Sequence, residues 1–174
     1  MQVREATTAD LPAILEIHND AIRTTTAIWD EAEVGMDERR QWLAGRQAAG
    51  LPVLVAQVDG TVAGFASYGP WRVKTGYRFT MENSVYVHPD RRGHGVANAL
   101  MPVLIDLARI GDVHSIVAGV EASNTASIAM HEKFGFRQVG LLPQVGFKFG
   151  RWLDLAYFQL LLGDQEAVGG KLAD

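Results

Sequence analysis

The chain predicts an α/β (α+β) domain with a mixed, mostly antiparallel central sheet and helices on both faces. Three observations lead there. Apolar residues near the N-terminus recur at three- and four-residue spacing, the period of a helix face. An Asp59-Gly60 pair separates two β-rich runs, which is the signature of a two-residue hairpin. Beyond it strand and helix patterns alternate and end in two successive strands, so parallel and antiparallel neighbours must share one sheet.

The elements follow in order. Leu11, Ile14, Leu15, His18, Ala21 and Ile22 form the first helical stripe, with Thr7 and Asp10 as a capping pair ahead of it. A second helix over residues 37–49 stops at Gly50, ahead of Pro52. Strands at 51–58 and 61–68 make the hairpin. A strand over 78–88, a helix over 96–110, a strand over 115–120 and a helix over 125–134 come next, the last stopped by Gly135. Strands near 136–145 and 152–162 complete the sheet. In helix 96–110 the stripe Val96, Ala99, Leu100, Val103, Leu104 and Leu107 is interrupted by Pro102, which removes one ladder bond. A kink with Pro102 on the outer face is expected.

At 174 residues and 19.0 kDa the chain suits one domain. Residues 1–163 are assigned to it, and 164–174 to a flexible C-terminal tail, because Gly169 and Gly170 sit there among polar residues. Hydrophobic residues at 48% and charged residues at 21% are ordinary globular composition, which argues against disorder. With no cysteine, disulfides, thiolate metal sites and a cysteine nucleophile are excluded. A net charge of −4 argues against a nucleic-acid partner. Neither a signal-peptide core near residues 1–10 nor a membrane-length apolar run is present, so no membrane partner and a cytoplasmic location are expected. His18, His88, His94 and His114 show no paired ligand spacing, and no metal is expected.

The 18 glycines raise the question of where the backbone must turn sharply or approach a ligand. Residues 84–100 read SVYVHPDRRGHGVANAL: a strand, a turn holding Gly93 and Gly95, then a helix. Such a turn aims free N–H groups and the positive end of a helix dipole at one spot, which suits phosphate. Arg91 and Arg92 add charge. A P-loop would need Lys and Ser or Thr after Gly95, where Val96, Ala97 and Asn98 stand. A dinucleotide fingerprint lacks its third small residue at Asn98. A glycine-rich turn that binds nothing remains open on these residues alone.

Arg92, Gly93, His94, Gly95, Val96 and Ala97 fit the (R/Q)xxGx(G/A) pyrophosphate loop, and residues 124–136, NTASIAMHEKFGF, supply an Asn, a helix and a GF pair. In both, the chain resembles the GCN5-related N-acetyltransferase (GNAT) superfamily. TMENSVYV at 80–87 and GFKFGRWLDLAYFQ at 146–159 resemble its phosphinothricin acetyltransferase group. PWR at 70–72 and QVGFKFGRWLDL from Gln144 are most similar to the methionine sulfoximine and methionine sulfone acetyltransferases. The resemblance implies a single GNAT-like domain, acetyl-CoA as cosubstrate, a small amino-acid amine as acceptor, and a homodimer paired through C-terminal strands. Alternatives are another amine (peptide, polyamine or antibiotic) or a non-catalytic acyl-CoA sensor.

The same resemblance implies residue roles. Glu82 is the general base that an ammonium acceptor requires before attack; a lone strand glutamate also suits a solvated outer face. Val87 is the N–H donor to the thioester oxygen, and Val85, Tyr86 and Val87 pair with the pantetheine arm as an added strand. Arg92, Gly93, His94, Gly95, Val96, Ala97 and Asn98 hold the pyrophosphate. Asn124, Ser127 and Lys133 are the remaining cofactor contacts, and His131 is the candidate acid for the leaving thiolate, a helix histidine that is otherwise structural. Arg72, Lys74 and Arg78 are candidates for the acceptor carboxylate, with Glu82 and Asn83 beside them. Trp29 and Tyr86 are either apolar walls of the acceptor site or core. The aromatic run Trp152, Tyr157 and Phe158 fits a dimer face or core equally.

Overall fold

A β-hairpin, four further strands and the chain's first residues build one sheet in the computed structural model, which describes residues 1–163; the tail expected at 164–174 lies outside the described residues. The elements are β1 (Gln2–Glu5), α1 (Leu11–Thr24), α2 (Met36–Ala48), β2 (Val53–Val58), β3 (Thr61–Pro70), β4 (Thr80–Val87), α3 (Val96–Ile110), β5 (Ser115–Glu121), α4 (Thr125–Lys133), β6 (Arg137–Lys148) and β7 (Arg151–Leu161). The strand order is β1-β2-β3-β4-β5-β7-β6, antiparallel throughout except for β4 beside β5. The α+β class read from the sequence is observed.

Each element has a local cause. Asp59 and Gly60 both adopt positive φ, 52° and 78°, which the right-handed twist of a two-residue hairpin demands. Asp10 accepts from the Thr7 N–H and pairs with Arg4 at 2.7 Å, tying β1 to the start of α1. That ion pair holds the Asp10 carboxyl below its ordinary value. α1 and α2 cover one face, where Leu11, Ile14, Ile17 and Leu43 pack on Val53, Val55 and Phe65. α3 covers the other with Leu100, Met101, Leu104 and Ile105 against Leu54, Ala66 and Ile116.

Several expectations need correction. β1 is an edge strand that the sequence pattern did not announce, being only four residues long. β6 continues past residue 145 to Lys148. In α3, Val103 is exposed and Met101 and Ile105 are buried in its place. Pro102 faces outward as expected, and the helix continues past it, because the missing N–H falls on the solvent side of the helix, where the carbonyl left unpaired is open to solvent. Of the aromatic run, Phe158 is core while Trp152 is exposed.

α3 meets the sheet at its first residue. A Cβ on Gly64 of β3 would lie 2.7 Å from Val96 Cγ1 and 2.8 Å from the Tyr86 carbonyl oxygen. Only glycine lets the helix start seat that closely. Gly64→Ala is therefore expected to destabilise the fold by about 1–3 kcal/mol, read as a lower urea midpoint at unchanged slope; an unchanged midpoint would show that the contact is not tight.

Candidate active site

β4 and β5 pair only from Thr80 to Glu82 against Ser115 to Val117. Beyond that point they part, although β4 keeps its ladder with β3 as far as Val87 and β5 keeps its ladder with β7 as far as Glu121. The Trp71 N–H bonds to the Thr80 carbonyl and the His88 N–H to the Ala63 carbonyl. Alternation along a strand then directs the N–H and C=O groups of Val85 and Val87 away from β3, into the gap. The gap is a narrow cavity of about 60 Å³ lined by Asn83, Val85, Gly119, Glu121, Asn124 and His131 among others. Its edge can accept an extended polar chain as though it were a strand.

One end of the gap lies near the start of α3. Gly93 and Gly95 adopt φ of 78° and 80°, and no side chain caps Gly95, so the first N–H groups of a fifteen-residue helix are left for a ligand. His94 and Asn98 are exposed beside them, Val96 is buried against the sheet and Ala97 half-buried. Arg92 is fixed by Asp20 of α1 at 2.8 Å, which orients the guanidinium while neutralising part of its charge. The geometry fits a pyrophosphate because the donors are backbone and need no side-chain rearrangement.

The far side of the gap is α4. Asn124 caps it, accepting from the Ser127 N–H at 3.1 Å, which leaves its Nδ2 group to donate elsewhere. Lys133 has its ammonium 5.8 Å from the Phe134 ring centroid. His131 is 5% exposed. Its Nδ1 lies 2.8 Å from the Ser127 carbonyl, which can only accept, so Nδ1 carries the hydrogen. Nε2 then accepts from Asn83 Nδ2 at 3.0 Å. Burial holds the ring neutral by lowering its pKa, only partly opposed by the Ser127 bond. With both nitrogens engaged and edge-on against Phe136, His131 stands as a wedge where β4 and β5 part. It offers no proton to a leaving group in this arrangement. Asn83, expected near the acceptor, sits on this α3/α4 face, buried against His131 and Met101.

Glu82 sits on the opposite face of β4. Its carboxyl oxygen would lie 3.3 Å from a Cβ on Gly119, so the bare glycine makes room for it above β5. Desolvation pushes the Glu82 carboxyl above its ordinary value, and the Arg72 cation pulls it partly back. Arg72 itself rests over the Trp71 ring at 4.7 Å. Arg78 covers Phe79 and donates to the Thr75 carbonyl, so it is held locally. Arg72, Lys74 and Tyr77 border an open hollow of about 370 Å³. Tyr86 packs on Phe65 within the core, whereas Trp29 rests on Gly146 of β6. Sequence reading missed Gly119 and Glu121, whose places depend on which strand lies beside β4. Among the described residues no group of three or more His, Asp or Glu could hold a metal, and no helix is long and apolar enough to cross a membrane.

A raised carboxylate on one face, backbone donors in a strand-like gap and an uncapped helix start are features that an acyl-transfer site for a nucleotide-bearing thioester requires. The comparisons agree. Residues 12–136 match the acetyltransferase (GNAT) family. An L-methionine sulfoximine/L-methionine sulfone acetyltransferase from Salmonella typhimurium is 48% identical over 96% of this chain and 98% of its own length. A phosphinothricin acetyltransferase of the GNAT superfamily from Sinorhizobium meliloti, solved in complex with acetyl-CoA, superposes at a TM-score of 0.93 with 32% identity, covering 98% of this chain and 93% of that one. A structure described as ribosomal-protein-alanine N-acetyltransferase from Brucella melitensis gives 0.92 with 51% identity, covering 93% and 100%. The chain belongs to the acetyltransferase (GNAT) family.

A Glu82 base would work deprotonated, so activity is expected to rise with pH through its pKa, with the acidic limb of kcat/KM above the ordinary glutamate value. Arg72→Gln removes the charge that lowers that pKa and should move the limb to higher pH. A limb that stays put or moves down would separate Arg72 from Glu82.

Proposed function

We propose that this protein transfers the acetyl group of acetyl-CoA to the α-amine of a small amino acid or analogue of the methionine sulfone, methionine sulfoximine or phosphinothricin kind. The observation that carries the reading is Glu82 on one face of β4 beside backbone donors that point into the gap. Support for the acceptor class comes from the Salmonella typhimurium relative, which is named for methionine sulfoximine and sulfone.

Acetyl-CoA, as cosubstrate, supplies an activated acetyl thioester. Gly93 to Asn98 hold its pyrophosphate on backbone N–H groups, with Arg92 and Lys133 adding charge. Val85 and Val87 pair with the pantetheine arm, and Asn124 and Ser127 border the same gap from α4. An acceptor ammonium approaches on the Glu82 face, where the carboxylate takes its proton directly or through a water. The freed nitrogen attacks in a ternary complex, the Val87 N–H meets the negative charge that grows on the thioester oxygen, and collapse of that adduct breaks the C–S bond, so that CoA leaves as a thiolate and takes up the proton the new amide nitrogen sheds. Arg72 is the cation best placed to meet the acceptor carboxylate while keeping Glu82 ionised. Lys74 borders the same hollow.

A peptide amine is the second reading, favoured by the Brucella melitensis structure described as a ribosomal-protein-alanine N-acetyltransferase. Thiol release separates the two: turnover on methionine sulfone, methionine sulfoximine or phosphinothricin but not on alanine-initiated peptides is expected, and the reverse would overturn the small-acceptor reading. Glu82→Gln should lower kcat at least about a hundredfold with acetyl-CoA affinity unchanged.

The reading includes a cytoplasmic homodimer. β6 forms the sheet edge and exposes Val139, Leu141, Val145 and Phe147, with Phe149 and Trp152 beside them. An apolar edge strand of this length needs cover, and a second copy can provide it. Sedimentation equilibrium should return twice the chain mass of 19.0 kDa, and a single-chain mass at micromolar concentration would remove the dimer.

A further inference from the structure

The connection between α1 and α2 crosses the Glu82 face of the gap as a strap, and it is pinned at several points. Ala27 contributes to the cavity wall beside Ser84, Tyr86 and Gly119. Thr26 Oγ1 donates to Glu121 at 3.2 Å, on the end of β5. Trp29 lies against Gly146, where any larger residue would collide with the indole. At its far end Asn19 and Val34 exchange two hydrogen bonds of 3.0 Å.

The central pin comes from more than 100 residues away in sequence. Lys148, at the end of β6, is 2% exposed, and its Nζ donates to the carbonyls of Ile22, Thr25 and Ile28 at 2.6, 2.9 and 2.5 Å. Ile22 belongs to the last turn of α1, whose terminal carbonyls lack helical partners. An ammonium there meets the negative end of the helix dipole and satisfies the turn that follows it. All three donors of Lys148 are thus spent on backbone, and none on a carboxylate. A neutral apolar side chain would leave three carbonyls, those of Ile22 and Ile28 buried, without this partner.

We propose that Lys148 is a positioning residue for the acceptor: it locks the strap of residues 25–29 over the Glu82 face of the gap and so sets the width available to the amine. The inference rests on the acceptor approaching on that face, as in the proposed function. Lys148 touches neither substrate. It acts through the strap, and its loss is therefore felt by the acceptor more than by the nucleotide-bearing cosubstrate bound at α3.

The test uses the full chain with Lys148→Gln, which retains two donors, and Lys148→Met, which retains none. Hydrogen exchange is measured for residues 25–29, with the loop of residues 93–98 as internal control, alongside KM for acetyl-CoA and for the amine that the wild type turns over best. In Lys148→Gln, strap exchange should accelerate about tenfold, the acceptor KM should rise by a similar factor, and the acetyl-CoA KM should stay within about twofold. Lys148→Met should follow the same order with larger effects where it folds. Unchanged strap exchange, or equal changes in both KM values, overturns the proposal. A wild type that acetylates no amine fails the functional reading instead, and strap exchange alone then judges Lys148.

Discussion

Parting of β4 from β5 is the constraint on which the site depends. Two parallel strands that stayed paired to their ends would turn every donor and acceptor of Val85 and Val87 toward β5, and nothing would remain for a ligand. The ladder instead stops at Glu82 and Val117, while each strand remains fully paired on its other side. A buried wedge of His131 and Asn83 occupies the point of divergence. Leaving backbone groups unpaired in a protein interior is costly, so the open edge implies a partner that supplies matching hydrogen bonds.

From that geometry the division of labour follows. Residues of β4 alternate between faces, so Asn83 is committed to the α3/α4 side, where it supports the wedge, and Glu82 to the α1/α2 side, where it lies over Gly119. The Glu82 carboxyl and the Asn83 amide of the wedge are neighbours in sequence yet lie on opposite sides of the sheet. Small residues complete the arrangement: Gly64 admits the start of α3, Gly119 admits the Glu82 carboxyl, and Gly146 admits Trp29 of the strap. None of these three glycines is at a turn. Each serves by lacking a Cβ where a specific neighbour must come close.

Charge is handled with similar economy. Arg92 is held by Asp20, Arg4 by Asp10, and the Lys148 ammonium by three carbonyls, so these cations are fixed by the fold before any substrate binds. Arg72 differs. It stays close enough to Glu82 to oppose in part the rise that desolvation imposes on its carboxyl.

Glu82 is singled out as candidate base by resemblance to a family; read alone, the amino-acid order determines the α+β class, the Asp59-Gly60 hairpin and the glycine turn at Gly93 and Gly95. These depend on local backbone preference and short periodicity, which a linear pattern carries. The edge strand β1 escaped it because four residues hold too little periodicity. Val103 and Met101 exchanged places because the α3 stripe is wide enough to be read in two rotations. Only the tertiary structure decides that His131 is a buried wedge, that Asn83 turns to the face opposite Glu82, that Gly119 makes room for Glu82 and that Lys148 pins the strap. Those facts concern which strand lies beside which and where it departs, and they join residues 37 to 126 positions apart. No short-range pattern can encode such pairings, because burial and hydrogen bonding act through space rather than along the chain.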